Sequence, residues 1–166
     1  MILDVMVFKI FFKLPFKEKL LLTEAFVCLL AARLAILVFP FKKIAPGIGI
    51  HMKETPPDIH PRLKEILLQI RRSIRRASKY APWQSKCLVQ AIAGKMMLKR
   101  RNIPYTLYLG VTRDVGKEVE KKNALKAHAW LRSGNIILAG KEGFKKYTVV
   151  STFGEEGRNG GREEDK

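Results

Sequence analysis

The sequence predicts an α+β fold on three observations. Apolar residues recur at three-to-four spacing up to Arg101, the spacing changes to two after Asn102, and Gly, Pro and Asn divide that second part into short runs. Helices followed by antiparallel strands make an α+β domain. The chain has 166 residues, 47% of them apolar, enough for one packed domain with an appendage.

Residues 1–45 read as a helical, apolar segment flanked by bases. Leu20 to Phe39 carries only Glu24 and Arg33 as charges. Its length matches the roughly 20 residues of a bilayer span, but a charge at the centre of a span costs on the order of 3 kcal/mol. Upstream, Lys9, Lys13, Lys17 and Lys19 interrupt Phe8, Phe11, Phe12, Leu14 and Phe16. That pattern suits a helix lying on a core, a partner or a membrane surface. Cys28 falls on the apolar side and reads as a small core residue. Residues 46–61 read as a linker, rich in Pro and Gly. His51 and His60 lie there without a cysteine or acid to complete a metal-ligand spacing, so neither metal nor cofactor is expected.

Residues 62–153 hold the main unit. Leu63, Ile66, Leu67, Ile70 and Ile74 set one face of a helix over 62–79, with Arg71, Arg72, Arg75 and Arg76 on the other. A loop from Tyr80 to Lys86 leads to a second, amphipathic helix over 87–101. Ser85 is its expected N-cap, which places Cys87 in the first turn, and Leu88, Ala91, Ile92 and Met96 are its packing side. Strands are expected at 104–111, 127–133, 136–139 and 146–153, with Gly134-Asn135 as a two-residue hairpin turn. Residues 113–124 form a charged loop. The Gly- and Glu-rich stretch 154–166 reads as a disordered tail.

The formal charge is +17. Residues 61–101 hold twelve Lys or Arg against one acid, Glu65. Such a surface attracts phosphates, anionic lipid heads or acidic polypeptides without choosing among them. No stacking-aromatic motif or groove-reading helix points to nucleic acid. Two cysteines without a secretory signal suit a reducing cytoplasm, where a lone thiol stays reactive.

Cys87 and His128 carry the chemistry. A helix dipole and a nearby imidazolium both favour the thiolate, the form that attacks carbonyls. The Cys87 backbone N–H at a helix start is a natural oxyanion donor, and Trp83 or Gln84 just upstream offers a second. Trp130, two residues after His128, reads as core packing beside it.

The words Ser85-Lys86-Cys87-Leu88-Val89-Gln90-Ala91, Leu98-Lys99-Arg100-Arg101-Asn102-Ile103-Pro104, Leu109-Gly110-Val111 and Ala127-His128-Ala129-Trp130-Leu131, in that order, resemble the protease half of the lasso-peptide maturation B proteins. Leu14-Pro15-Phe16-Lys17-Glu18-Lys19-Leu20 and Phe39-Pro40-Phe41-Lys42-Lys43 extend the resemblance over roughly residues 8–153. It implies a transglutaminase-like (papain-like) cysteine protease domain at 62–153. The activity implied is that of a leader peptidase acting on a ribosomally made precursor peptide, with Cys87 as nucleophile and His128 as base. An ATP-dependent macrolactam cyclase would follow it. The segment before the linker is short and helical, so the split form is implied, served by a separate leader-recognition protein.

The third catalytic member is open. The family's acid lies on the strand after the histidine, where it holds the imidazole tautomer. Pairing Ser133 with Ile136 sets Lys141 opposite His128, between Gly140 and Glu142. Either Glu142 takes the role after a small register change, or a backbone carbonyl orients His128, or there is no third member. Asp114, Glu118 and Glu120 in the charged loop are further candidates. Acyl transfer to an amine and a non-enzymatic cationic binding module are the rival functions.

Overall fold

The structure, a computed structural model, describes residues 14–113 and 125–157. Asp114, Glu118, Glu120, the bases and aromatics before Leu14, and the tail from Arg158 lie outside the described residues.

Among the described residues four α-helices precede most of the sheet: α1 (Phe16–Val38), α2 (Phe41–Ile48), α3 (Leu63–Tyr80) and α4 (Cys87–Lys99). The strands are β1 (Ile50–His51), β2 (Tyr105–Arg113), β3 (Leu125–Ser133), β4 (Ile136–Ala139) and β5 (Thr148–Glu155). They form one antiparallel sheet in the order β1-β5-β2-β3-β4. This is the α+β architecture that the change of period predicts.

The Cys87 helix packs centrally against the sheet, as expected, but it is not amphipathic over 87–101. Val89, Ala91, Ile92, Ala93, Gly94, Met97 and Leu98 are all buried, so α4 is apolar on most sides. The reason is its position between α1 and α3 on one side and the sheet on the other, which leaves little of it for water. Gly94 lets its neighbours come close: a Cβ there would lie 2.6 Å from Leu131 Cδ2 and 3.0 Å from Ile74 Cδ1. The helix ends before Asn102, at φ 53°, where the Ile103 N–H returns to the Leu98 carbonyl.

Proline and glycine at 46–49 suggest a linker, but this stretch holds the end of α2, and β1 follows it. Burial of Ile48 and the pairing of Ile50 with Gly154 fix the segment despite Pro46. Beyond β1 the chain crosses the sheet face opposite α4. There Thr55 bonds Thr106 Oγ1 at 2.9 Å, and Arg132 donates to the Thr55 carbonyl at 2.8 Å. The tail boundary also shifts: Gly154 and Glu155 belong to β5, paired with Thr106 and Tyr105.

One side of α1 is buried through Leu21, Ala25, Cys28, Leu29 and Ala32. Burial foremost, then Glu24, raises the Cys28 thiol above its usual range, as suits an inert core cysteine. The opposite side exposes Leu20, Val27, Leu30, Leu34 and Leu37. By length and composition α1 is apolar enough to cross a membrane. Its Glu24, however, is ion-paired with Arg101 at the end of α4, with Nη1–Oε1 at 2.9 Å. The Arg101 guanidinium stays protonated beyond its usual range, first through its bond to Glu24. Replacing Glu24 by alanine leaves a largely buried guanidinium short of its partner and should lower unfolding stability by about 2 kcal/mol, read by urea denaturation.

A second polar knot joins α2, α4 and β5. The Tyr105 hydroxyl lies 2.6 Å from Glu155 Oε2 and 2.7 Å from the Ile48 carbonyl, and Lys99 Nζ lies 2.9 Å from Glu155. Burial alone would raise the Glu155 carboxyl, but the bonds from Tyr105 and Lys99 outweigh it and hold the group below its ordinary 4.5. A depressed folded value means this stabilisation is present above the unfolded value and is lost as pH falls through the folded one. Urea midpoints for wild type and Glu155→Gln should therefore differ at neutral pH and converge only as acidification passes below the depressed folded value.

Candidate active site

Cys87 is the first residue of α4. Lys86, with extended φ and ψ, is the N-cap, and it makes no side-chain cap bond. Ser85 is therefore not the cap: its Oγ is buried without a hydrogen-bond partner, and its carbonyl accepts from Gln90 Nε2 at 2.8 Å. Gln90 also donates to Ser78 Oγ at 2.8 Å and so ties the segment before Cys87 to α3. The first intrahelical bond runs from the Gln90 N–H to the Lys86 carbonyl at 3.1 Å, which leaves the N–H groups of Cys87, Leu88 and Val89 at the positive end of the helix.

His128 sits on β3 opposite Gly110 of β2, and Trp130 sits opposite Tyr108. The imidazole stacks on Tyr147, centroids 4.8 Å apart, with Trp130 at 6.0 Å on the same strand face. Trp130 is buried and stacks in turn on Tyr108 at 5.3 Å. Gly110 makes this aromatic stack possible, since a Cβ there would come within 2.8 Å of Trp130 and 2.9 Å of Tyr147.

His128 Nε2 lies 2.9 Å from the Gly140 carbonyl oxygen. A carbonyl only accepts, so Nε2 carries the hydrogen, and in the neutral ring the lone pair is then on Nδ1. The expected pairing of Ser133 with Ile136 is present, but a bulge between Leu131 and Arg132 shifts the register to Leu131↔Ala139. That is the direction that moves Glu142 towards His128. The ladder ends at Ala139, however, because Gly140 turns the chain at φ 70°. Glu142 is exposed at the cavity rim, and no hydrogen bond joins it to His128 among the described residues.

Cys87 and His128 line one cavity of about 350 Å³, together with Arg71, Ile74, Arg75, Ser78, Gln90, Leu138, Ala139, Gly140, Lys141 and Glu142. No hydrogen bond joins the thiol to the imidazole in this arrangement; nucleophile–base pairs commonly tighten only around substrate. Gln84 is exposed in the preceding loop and Trp83 is half-buried against Phe26, and neither lines the cavity. His51 bonds Ser151 Oγ at 3.0 Å and His60 Nδ1 accepts from the Arg62 N–H, so the two histidines serve separate local contacts.

A helix bearing a cysteine at its first residue, packed on an antiparallel sheet bearing a histidine, defines a transglutaminase-like domain. The chain belongs to the transglutaminase-like superfamily, whose family model matches residues 28–152. No curated protein and no solved structure matches it. The match begins at Cys28 within α1, so this helix belongs in part to the superfamily domain and is more than an appendage.

Proposed function

We propose that this chain is a cysteine endopeptidase that removes the leader from a ribosomally made lasso-peptide precursor. The observation that carries the reading is the shared cavity of Cys87 and His128, with the imidazole held by Gly140 in the tautomer a base requires. The motif resemblance supplies the substrate class. In this reading His128 Nδ1 accepts the thiol proton and the Cys87 sulfur attacks the scissile carbonyl. The Cys87 N–H, at the positive end of α4, stabilises the oxyanion; Trp83 and Gln84, which lie off the cavity, do not serve as the second donor. Imidazolium then protonates the leaving amine, and water, deprotonated by His128, hydrolyses the thioester. The Gly140 carbonyl fills the orienting role, with Glu142 at the rim as the alternative member.

The partners in this reading are the precursor peptide, a separate leader-recognition protein and, downstream, an ATP-dependent macrolactam cyclase. The work is cytoplasmic, and the exposed apolar side of α1 offers a place for peripheral membrane contact or for a partner. Mass spectrometry of a cognate precursor, incubated with this chain and the leader-recognition protein encoded beside it, tests the reading. One cut at the leader–core junction is the expected result. Incorporation of an added amine in place of hydrolysis favours the acyltransferase reading, which uses the same thioester. Binding without either reaction favours a cationic binding module.

A further inference from the structure

The walls of the cavity carry an uncompensated charge. Arg71, Arg75 and Lys141 line it beside Cys87 and His128, against the single carboxylate of Glu142. None of these three cations has an ion pair among the described residues, whereas Arg76 on the same helix pairs with Glu18 at 3.2 Å. Arg71 is half-buried and Arg75, one turn further along α3, is exposed; the buried Ile74 lies between them in the chain. Like charges one helical turn apart destabilise a helix unless something answers them. A single guanidinium in a concave site grips a carboxylate with two parallel N–H groups, and a second one lining the same cavity adds attraction for the anion.

We propose that Arg71 and Arg75 form a carboxylate-reading subsite beside the nucleophile, and that the peptide bound there carries an Asp or Glu side chain next to the scissile bond. This rests on the peptidase reading for its substrate, but the subsite is testable without cleavage. Iodoacetate and iodoacetamide alkylate the same thiol and differ in charge. Cys87 modification is read by mapped-peptide mass spectrometry, separately from buried Cys28. The iodoacetate-to-iodoacetamide rate ratio at Cys87 should fall about 5-fold in Arg71→Gln/Arg75→Gln. Arg71→Lys/Arg75→Lys should keep most of it. An unchanged ratio in the Gln variant overturns the subsite.

The second arm uses precursors whose acidic residues at the leader–core junction are replaced by their amides. Wild type should lose about 10-fold or more in kcat/KM on the amide forms, and the Gln variant should lose that discrimination. Cleavage indifferent to the acid overturns the proposal even if the alkylation ratio falls. If wild type cuts no precursor at all, the peptidase reading fails and the alkylation ratio alone decides the subsite.

Discussion

Substituting Cys87 by alanine should abolish leader cleavage, by at least about 10³-fold in kcat, while the fold survives. The thiol is half-buried at the start of α4 and makes no hydrogen bond among the described residues, so its loss opens little space and strands no polar group. Thermal unfolding of Cys87→Ala should stay within about 3 °C of wild type. His128→Ala should lose a comparable share of kcat, because without the imidazole neither the thiol proton nor the leaving amine is served. It also removes a ring stacked between Tyr147 and Trp130, so its stability should fall more than that of the cysteine variant. The pairing of the two losses matters: residues acting as one unit lose about as much singly as together. A Cys87→Ala/His128→Ala double variant should thus be no slower than Cys87→Ala. Full cleavage by Cys87→Ala refutes thiol catalysis.

Much of the fold is legible in the sequence because its two periodicities are unmixed. The Leu67–Ile70–Ile74 spacing gives α3, and the alternation from Tyr105 onward gives β2 and β3 with the Gly134-Asn135 turn between β3 and β4. Periodicity fails at α4, where apolar residues on most sides blur the amphipathic pattern, because the helix is packed by its neighbours all round. It also fails at 46–49, where Pro and Gly signal a turn yet Ile48 is drawn into the core. Cys87 and His128 stand out as residues because their chemistry is scarce in this chain. The group that orients His128 does not stand out, since it is a backbone carbonyl and leaves no side-chain signal. The nearest hint is glycine itself at 140, just past the last strand pair. Gln90 and Tyr147 escape notice for another reason: one reads as a polar helix position and the other as part of a strand, and only the tertiary fold brings them to Ser78 and His128.

Gly140→Val should be the most damaging change outside the cysteine–histidine pair. At φ 70° the residue occupies the left-handed region, where a β-branched side chain is strained. Space is closed as well: a Cβ would overlap the Ala129 carbonyl oxygen and sit 2.8 Å from Trp130 Cα. Strain and overlap together should cost about 3 kcal/mol, which lowers Tm by about 10 °C in a chain of this size. Relief must come from moving the 140 carbonyl, because β3 is fixed by its ladder with β2. That motion breaks the bond to His128 Nε2, so the ring loses its fixed tautomer and orientation. In the fraction that remains folded, kcat should fall about 10–100-fold with KM little changed, since ring orientation acts on the chemical step. Gly140→Ala should show the same split at smaller amplitude. Glu142→Gln supplies the contrast: with Gly140 as the orienting group it should keep kcat within about 3-fold of wild type, whereas a Glu142 that held the imidazole would give a loss approaching 10²-fold or more.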